Sequence, residues 1–426
     1  MKLAGQLIKL FENVGNKLKN EEFVEKSKMK KQDFTRNRIV GFAGTVLIVL
    51  SKTGKSLSSA IRAFKETLEI ENEKYTNQAF SKGRMRIKWE AFRELFVMTR
   101  DHFYENYHYK TWNGFRLSAI DGTKINLPYS ESNVENFGIQ KSTGELPQSL
   151  GSTLYDVLNK IIIDATASPC NANERELAKQ HLEILSEIKT DKELILFDRG
   201  YPSAELISFI EEKGFSYLMR ADDTFVRGMV KKVSGDDCVI THKFVRTKVE
   251  VKLRLIRIEL TNNKNQIVTE WLITNVFDKS IGINDFSQLY HLRWGIESKY
   301  DDIKNKLQLQ NFSGISSLAV LQDFYATMFL SNIASMMIFE NSDEIDKLHN
   351  SKDNKYKYVA NVNNTISLLK ENVVALLVTD YEIKRRKLLK HIYSDLVRAV
   401  VPIRNGRAFP RHVAHPAIKF HQNQRA

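Results

Sequence analysis

The first hundred residues carry apolar side chains at helical spacing. Leu7, Leu10, Phe11 and Val14 recur at intervals of three or four residues, and the same spacing returns between residues 92 and 99. Such intervals place apolar side chains on one helix face, which can then pack against a core. The pattern predicts that residues 1–110 form a helical region.

From Gly114 onward the pattern changes to short β-prone segments bounded by Gly, Asn, Ser and Pro. Strands are predicted at 115–120, 153–157, 161–165, 194–197 and 216–219, with helices at 175–188 and 203–213. Strands that begin to alternate with helices are typical of an α/β core. We therefore predict that such a core begins at residue 111.

The second half of the chain has a different pattern of apolar and polar residues. Apolar and charged side chains alternate between residues 221 and 271, which predicts an all-β insertion, followed by a strand at 271–276 and a helix at 288–308. A polar segment at 341–357 predicts a loop and a domain boundary. The predicted regions are 1–110 (helical), 111–221 (first part of the core), 222–270 (β-rich insertion), 271–345 (second part of the core) and 346–426 (basic C-terminal region).

Composition excludes several classes of protein. The chain has 426 residues, 42% of them hydrophobic, with only 7 Pro and 19 Gly, so a disordered or fibrous chain is excluded. Cys170 and Cys238 cannot build a disulfide framework or a Cys-based zinc site, and this scarcity is typical of a reducing cytoplasm. The longest apolar run, at 39–50, falls short of the ~20 residues of a membrane-spanning helix. We predict a soluble, intracellular protein.

The formal net charge of +13 is unevenly distributed. Residues 1–100 carry +10, residues 101–380 carry −6 and residues 381–426 carry +9. Basic ends suit a polyanion that contacts more than one module, and an acidic centre suits a site for divalent cations. The alternative is that these charges lie on solvated faces.

Two aspartates directly follow apolar segments. Asp121 opens the sequence Asp-Gly-Thr-Lys, and Asp198 opens Asp-Arg-Gly-Tyr. A carboxylate at the end of a buried strand, before a glycine-containing turn, is held rigidly and can face a cleft. Together with Glu297 from a helix, these carboxylates would suit two Mg²⁺ ions that act on a phosphodiester, because hard cations prefer oxygen ligands. Each aspartate taken alone is better explained as a turn or cap residue.

The predicted helix at 288–308 concentrates functional residue types. At ~100° per residue, one narrow face carries four of them, Tyr290, Arg293, Glu297 and Lys304. A carboxylate, two cations and a phenol on one face suit metal coordination together with phosphate binding. Asp301 lies on the same face, so the spacing does not choose between it and Glu297. An exposed helix with i,i+4 ion pairs would have the same spacing.

Taken together, three motifs resemble the DDE transposases of bacterial insertion sequences. They are Asp121-Gly122-Thr123, the block Asp198-Arg199-Gly200-Tyr201, and Tyr-x2-Arg-x3-Glu-x6-Lys between residues 290 and 304. The third motif is the YREK signature of the insertion-sequence-four family, and the resemblance extends from about residue 36 to 411. It implies a ribonuclease-H-like mixed α/β sheet with a β insertion before the catalytic glutamate, flanked by helical regions.

The resemblance also assigns a catalytic triad. Asp121, Asp198 and Glu297 would be the metal ligands, and the resemblance selects Glu297 over Asp301. It also assigns DNA contacts to three residues of the YREK signature. Arg293 and Lys304 would contact DNA phosphates, and Tyr290 would contact the DNA end.

Trp271 lies where relatives that form hairpin ends place an indole that stacks on a flipped base. The alternative is a core tryptophan at the start of a strand. Arg84 and Arg86 suit a DNA backbone or a solvated helix face, and Arg220 follows a strand near the predicted site. The basic tail adds three candidates for phosphate binding or dimer contact, Arg404, Arg407 and Arg411.

These observations lead to one hypothesis, a DNA transposase that binds terminal inverted repeats, cleaves the DNA ends and directs the freed 3′-hydroxyl at target DNA. The expected cofactor is Mg²⁺, two ions per site, for which Mn²⁺ substitutes. The expected partners are double-stranded DNA and a second copy of the chain in a paired-end complex, with no membrane partner, in the cytoplasm on the nucleoid. The alternatives are an endonuclease of the same fold that cuts without joining, and a transposase-derived DNA-binding protein without activity.

Overall fold

The computed structural model describes residues 5–36, 40–51, 56–70, 75–140, 146–188, 192–231, 233–261, 266–350 and 354–404. The N-terminal part is helical, with α1 (Gly5–Lys19), α2 (Glu21–Ser27), α3 (Phe42–Ser51), α4 (Leu57–Thr67), α5 (Asn77–Arg84) and α6 (Glu90–Asn106). Asn20, Ser56 and Thr76 cap α2, α4 and α5 by accepting hydrogen bonds from first-turn amides. The helices agree with the spacing of the apolar residues.

An eight-stranded sheet forms the α/β part of the protein. Its strands are β1 (Arg116–Asn126), β2 (Gln148–Asp156), β3 (Ile161–Pro169), β4 (Glu193–Phe197), β5 (Ser216–Ala221), β6 (Asp237–Lys243), β7 (Glu250–Thr261) and β8 (Ile267–Thr274). The intervening helices are α7 (Glu131–Phe137), α8 (Glu174–Glu187), α9 (Ala204–Glu212) and α10 (Asp223–Val230).

The strand order is β3-β2-β1-β4-β5-β8-β7-β6. β4 pairs in parallel with both β1 and β5, whereas β8, β7 and β6 add antiparallel strands. All five residues of β4 are buried, as expected for a central parallel strand covered on both faces. This mixed sheet with helical flanks confirms the predicted mixed α/β fold class.

The predicted insertion at 222–270 supplies strands β6 and β7 and the start of β8, but it is not all-β. The segment begins with α10, whose N-cap Asp222 accepts from the Phe225 amide. Its strands also extend the main sheet, because β8 pairs with β5. The alternation of apolar and charged residues therefore reflects added strands of one sheet, not a separate module.

The chain continues with α11 (Ile283–His291), α12 (Trp294–Asp301), a π-helical turn (Asp302–Lys306), α13 (Ser317–His349), β9 (Lys357–Ala360), α14 (Val362–Val378), α15 (Glu382–Arg398) and β10 (Val400–Ile403). The single helix predicted at 288–308 is thus broken after residue 291 and ends in a π-helical turn. The loop predicted at 341–357 is wrong as far as His349, because Asn341 and Ile345 remain buried one turn apart and keep α13 packed.

The described residues form two compact units. One unit draws on Met1–His108, Lys124–Ser149 and Asp301–Ala426, and the other on Tyr109–Thr123 and Leu150–Tyr300. In the first unit, α13 packs against α6, α14 and α3. None of the described helices is both long and apolar enough to cross a bilayer.

Candidate active site

Asp121 lies in β1 at the point where the strand changes from buried to partly exposed. Pairing with β4 runs from Arg116 to Ala119, two residues earlier. The Asp121 side chain is 23% exposed, and its Oδ1 accepts a hydrogen bond from the Gly122 amide at 2.9 Å. The predicted turn at Asp-Gly-Thr is wrong, because β2 lies beside β1 and the strand continues to Asn126.

Asp198 directly follows β4, as predicted. The hydroxyl of Tyr290, near the end of α11, donates to Asp198 Oδ1 at 3.1 Å. Burial raises the pKa of the Tyr290 phenol well above its usual range, and the nearby Asp198 carboxylate raises it further. Tyr290 therefore remains protonated as a donor to Asp198.

Arg293 connects the other two carboxylates of the predicted triad. It lies in the short break between α11 and α12 and is 4% exposed. Its Nη2 donates to Glu297 Oε1 at 3.0 Å, and its Nη1 lies 3.9 Å from Asp121 Oδ2. Asp301 is exposed and instead accepts from Asn305 Nδ2 at 2.5 Å. The break in the helix thus places a guanidinium between Asp121 and Glu297.

Burial of Asp121 favours the protonated form of its carboxyl. Burial raises the pKa of the Asp121 carboxyl to about 6, opposed by the Gly122 amide and Arg293 and reinforced by Glu174 and Asp198. Burial opposes the charge of Arg293, but the charges of Asp198 and Asp121 and the hydrogen bond to Glu297 raise the pKa of its guanidinium. The site therefore holds one permanent cation among carboxylates that repel one another.

Glu174 is a further carboxylate at this site that the sequence did not single out. It is the first residue of α8 and is exposed. A Cβ added at Gly122 would lie 3.1 Å from Glu174 Oε1 and 3.2 Å from Leu150 Cδ1, so the glycine makes room for this carboxylate. In the sequence, Glu174 looks like an ordinary acidic residue in the first turn of a capped helix.

A buried polar chain supports the backbone of Asp121. Ser152 Oγ lies 3.5 Å from the Asp121 carbonyl oxygen and 3.0 Å from His181 Nε2, and His181 Nδ1 lies 2.7 Å from Asp164 Oδ2. The order Ser, His, Asp is that of a hydrolytic triad. Ser152 is only 1% exposed, however, so no substrate can reach its hydroxyl. These hydrogen-bonded side chains instead link β2, β3 and α8.

A groove of about 470 Å³ beside Tyr290 is lined in part by Arg220, Glu270 and Trp294. Arg220 Nη2 lies 2.9 Å from Glu270 Oε1, in an ion pair. Trp294 is 52% exposed and stacks on His291, with 6.1 Å between ring centroids. Trp294 was not among the predicted site residues, although it follows Arg293 within the YREK motif. An exposed indole beside a cation offers a surface for a nucleobase.

Trp271 lies in β8, where it is partly exposed and stands opposite Ala221 of β5 and Arg257 of β7. Lys304 belongs to the π-helical turn in the first unit. Its Nζ donates to the Lys124 carbonyl oxygen at 2.7 Å, and burial lowers the pKa of its ammonium.

The structure corrects the prediction for Arg84. The side chain is 3% exposed, and its guanidinium donates to Gln322, Ser313, Ala319 and Asp323. A buried guanidinium with these partners anchors α5 to α13 and cannot also face a DNA backbone. No local pattern around Arg84 indicates this role, because Asp323 lies 239 residues away.

Arg86 remains accessible, with 42% of its side chain exposed and Asp33 Oδ1 at 3.5 Å. It lines a groove of about 790 Å³ in the first unit together with the exposed cations Lys30, Arg36 and Lys82. Arg404 is exposed, and its guanidinium lies 5.7 Å from the ring centroid of Tyr356. The remaining two predicted tail residues, Arg407 and Arg411, lie outside the described residues.

The donor set of the site fits a hard cation, because Asp121, Asp198 and Glu297 offer only oxygen ligands. As the side chains stand, no three acidic, histidine or cysteine residues within the described ranges could enclose a metal ion. Arg293 lies between two of the carboxylates. Mg²⁺ suits such an open arrangement, since it retains waters and binds through one or two carboxylates plus substrate phosphates.

A family model described as the transposase DDE domain matches residues 112–333, which contain all three carboxylates and the YREK motif. The chain belongs to the DDE transposase family. This membership confirms the resemblance drawn from the three motifs.

Transposase InsG for insertion sequence element IS4, from Escherichia coli (strain K12), is 25% identical to this chain over 245 residues. The match covers 54% of this chain and 53% of InsG, so the DDE transposase described here spans about half the length of that relative. A cryo-EM structure of the piggyBac transposase synaptic complex with hairpin DNA has a TM-score of 0.46 and 11% identity, covering 91% of this chain and 84% of that chain.

Proposed function

We propose that this DDE transposase binds the terminal inverted repeats of its element, cleaves the DNA at the ends and joins the freed 3′-hydroxyl to target DNA. The observation that carries the proposal is that each of the three carboxylates of the motifs contacts a residue of the YREK signature. Arg293 contacts both Glu297 and Asp121, and Tyr290 donates to Asp198. Such a group of carboxylates with a buried cation suits phosphoryl transfer.

Asp121, Asp198 and Glu297 would hold two Mg²⁺ ions, with Mn²⁺ as a substitute. Two bound ions would activate the attacking oxygen and stabilise the leaving oxygen of an in-line displacement. The Arg293 guanidinium has the planar donor geometry that binds a phosphate, and the Tyr290 hydroxyl would orient the DNA end. Hydrolysis and strand transfer are both substitutions at phosphorus, so one site would serve water first and the 3′-hydroxyl second.

DNA binding would extend well beyond the reaction centre. The groove in the first unit is lined by four cations and one carboxylate, namely Lys30, Arg36, Lys82, Arg86 and Asp33. This excess of positive charge suits the phosphate backbone of DNA. The proposal also assigns DNA contacts to the remaining predicted residues, namely Arg220, Trp271, Lys304, Arg404, Arg407 and Arg411. The protein would act as a homodimer on paired ends, in the cytoplasm on the nucleoid.

The test is cleavage and strand transfer on a duplex that carries the element's end, with Mg²⁺ or Mn²⁺. Glu297→Gln should abolish cleavage and leave end binding intact, because the amide keeps the shape of the side chain but loses the charge that binds the cation. Asp301→Asn on the same helix is the matched control and should retain cleavage, because Asp301 is exposed and bonds to Asn305.

Three outcomes would contradict the proposal in different ways. Cleavage without a joined product would favour an endonuclease. Folded, end-bound protein that gives no cleavage product would favour a DNA-binding protein without activity. Equal loss of cleavage in Glu297→Gln and Asp301→Asn would place the catalytic carboxylate elsewhere.

A further inference from the structure

Tyr300 connects the helix that carries Glu297 to the strand that carries Asp121. Its hydroxyl donates to the Asp121 carbonyl oxygen at 2.6 Å and accepts from Thr153 Oγ1 at 2.9 Å. A carbonyl oxygen only accepts, so the Tyr300 proton must point to Asp121. The two hydrogen bonds therefore run in one direction, from Thr153 in β2 through Tyr300 in α12 to β1.

This bond acts just beyond the end of the β1–β4 pairing, which runs from Arg116 to Ala119. The Asp121 carbonyl oxygen is instead reached by side chains. Ser152 Oγ lies 3.5 Å away, longer than a well-formed O–H···O bond, whereas the Tyr300 hydroxyl at 2.6 Å is within the strong range. Tyr300 is thus the tighter of the two side-chain contacts to the Asp121 carbonyl.

Tyr300 and Thr153 have little freedom to move. Tyr300 is 8% exposed and Thr153 is 3% exposed, and consecutive hydrogen bonds in such a dry environment strengthen one another. Tyr300 follows Glu297 by three residues in α12, so the two side chains are neighbours on the helix surface. A displacement of the Tyr300 ring would shift the helical turn that carries Glu297 relative to the backbone of Asp121.

We propose that Tyr300 is a positioning residue that sets the separation of the Asp121 and Glu297 carboxylates for divalent cations. The inference rests on the proposed function of these two carboxylates. Arg293 also links them, but it contacts the side-chain oxygens that a cation requires. Tyr300 contacts the backbone oxygen and leaves both carboxylates available. Mg²⁺ demands near-ideal octahedral geometry, which makes the spacing of its ligands important.

The test compares Tyr300→Phe with Tyr107→Phe. Each change removes one hydroxyl that donates a hydrogen bond, and Tyr107 donates to Glu340 in the first unit, in a bond with no part in the site. Binding of Mn²⁺ alone is measured by electron paramagnetic resonance of the free ion, with no DNA present. Single-turnover cleavage and affinity for an end-bearing duplex are measured separately, and circular dichroism checks that each variant folds.

Tyr300→Phe should raise the dissociation constant for Mn²⁺ by ~10-fold or more and slow single-turnover cleavage by ~10- to 100-fold, the range found when groups that orient metal ligands are removed. Its affinity for the DNA end should be unchanged. Tyr107→Phe should match the wild type in all three measurements. A merely structural role for Tyr300 would alter folding without this selective loss of Mn²⁺ binding.

Equal Mn²⁺ binding and cleavage by the two variants would overturn the positioning role and leave the proposed function standing, because the wild type would still cleave. Folded wild-type protein that neither binds Mn²⁺ nor cleaves bound ends would overturn the proposed function itself. Thr153→Val removes the hydroxyl that donates to Tyr300 and provides the same test if Tyr300→Phe does not fold. It should weaken Mn²⁺ binding in the same direction, and unchanged binding would count against the proposal.

Discussion

Asp121→Asn is expected to stabilise the metal-free protein at neutral pH while it abolishes DNA cleavage. The carboxylate is largely buried, with Asp198 and Glu174 nearby, and its pKa is raised to about 6. Asparagine has nearly the same shape and keeps an oxygen that accepts from the Gly122 amide. The substitution therefore removes a buried negative charge that lowers the free energy of unfolding at neutral pH.

The sign and size of the effect follow from proton linkage. The unfolded carboxyl has its ordinary pKa of 3.8 and the folded one about 6, so between these values the folded state retains a proton that the unfolded state has lost. Stability therefore falls as pH rises through this window and stays low above it. Two pKa units correspond to about 3 kcal/mol. This is an upper value, because the side chain is 23% exposed and water screens part of the charge.

The assay is urea unfolding with a chelator at pH 4 and pH 8, followed by circular dichroism. The free energy of unfolding of Asp121→Asn should exceed that of the wild type by up to ~3 kcal/mol at pH 8, and the difference should nearly vanish at pH 4. Added Mg²⁺ should reduce the gap at pH 8, because a cation that binds only the folded wild type stabilises it. A difference that is no larger at pH 8 than at pH 4 would refute the reasoning.

Two further predictions concern the first unit. Arg84→Met should lower the free energy of unfolding by ~3–5 kcal/mol in the same urea assay, because it leaves the buried Asp323 without its cation. Arg86→Met is the control and should lower the free energy of unfolding by less than ~1 kcal/mol, because its side chain is exposed. Similar losses in the two variants would contradict the structural role of Arg84. In filter-binding measurements, Lys82→Ala should weaken binding to an end-bearing duplex and reduce the slope of log K against log salt concentration by ~0.9. Lys19→Ala, which breaks an exposed pair with Asp380, is the control and should leave the slope unchanged. Equal slopes for Lys82→Ala and the wild type would exclude the groove from phosphate contact.

Local sequence was a good guide wherever the structure is decided by neighbours in the chain. The strand at 194–197 is predicted within one residue of β4, because an uninterrupted apolar run fits a strand that is buried on both faces. Asp198 then follows that strand as predicted. These features depend on side-chain patterns that can be read within ten residues.

The errors arise where a distant part of the chain decides the outcome. Arg84 looked like a surface cation beside Arg86, but its partners Gln322 and Asp323 come from α13. Asp121 looked like the end of a strand, yet β2 extends the pairing past it. Glu174 is near Asp121 only because α8 returns to the glycine of the Asp-Gly-Thr motif. No periodicity in the sequence reports such contacts.

The prediction of one continuous helix at 288–308 is wrong, and the difference affects the geometry of the site. A continuous helix would place Tyr290, Arg293 and Glu297 on one face by rotation alone. The structure reaches a comparable grouping through a break, which buries Arg293 between the two helices and directs its guanidinium to carboxylates on either side. The spacing of the motif therefore anticipated the grouping, although the regular geometry behind that expectation was absent.

The electrostatics of the site and its buried supports complement each other. Burial raises the pKa of the Asp121 carboxyl and the nearby Asp198 raises it further, so an ionised Asp121 disfavours the metal-free fold. With Asp121, Asp198 and Glu297 ionised, Arg293 leaves two negative charges uncompensated. Two divalent cations would reverse the sign of that charge and so create the positive centre that DNA phosphates require. Mutual repulsion also pushes the carboxylates apart, and hydrogen bonds to the backbone oppose this without using any carboxylate oxygen. The Tyr300 hydroxyl on the Asp121 carbonyl is such a bond, and it leaves both oxygens of the Asp121 carboxylate available to a cation.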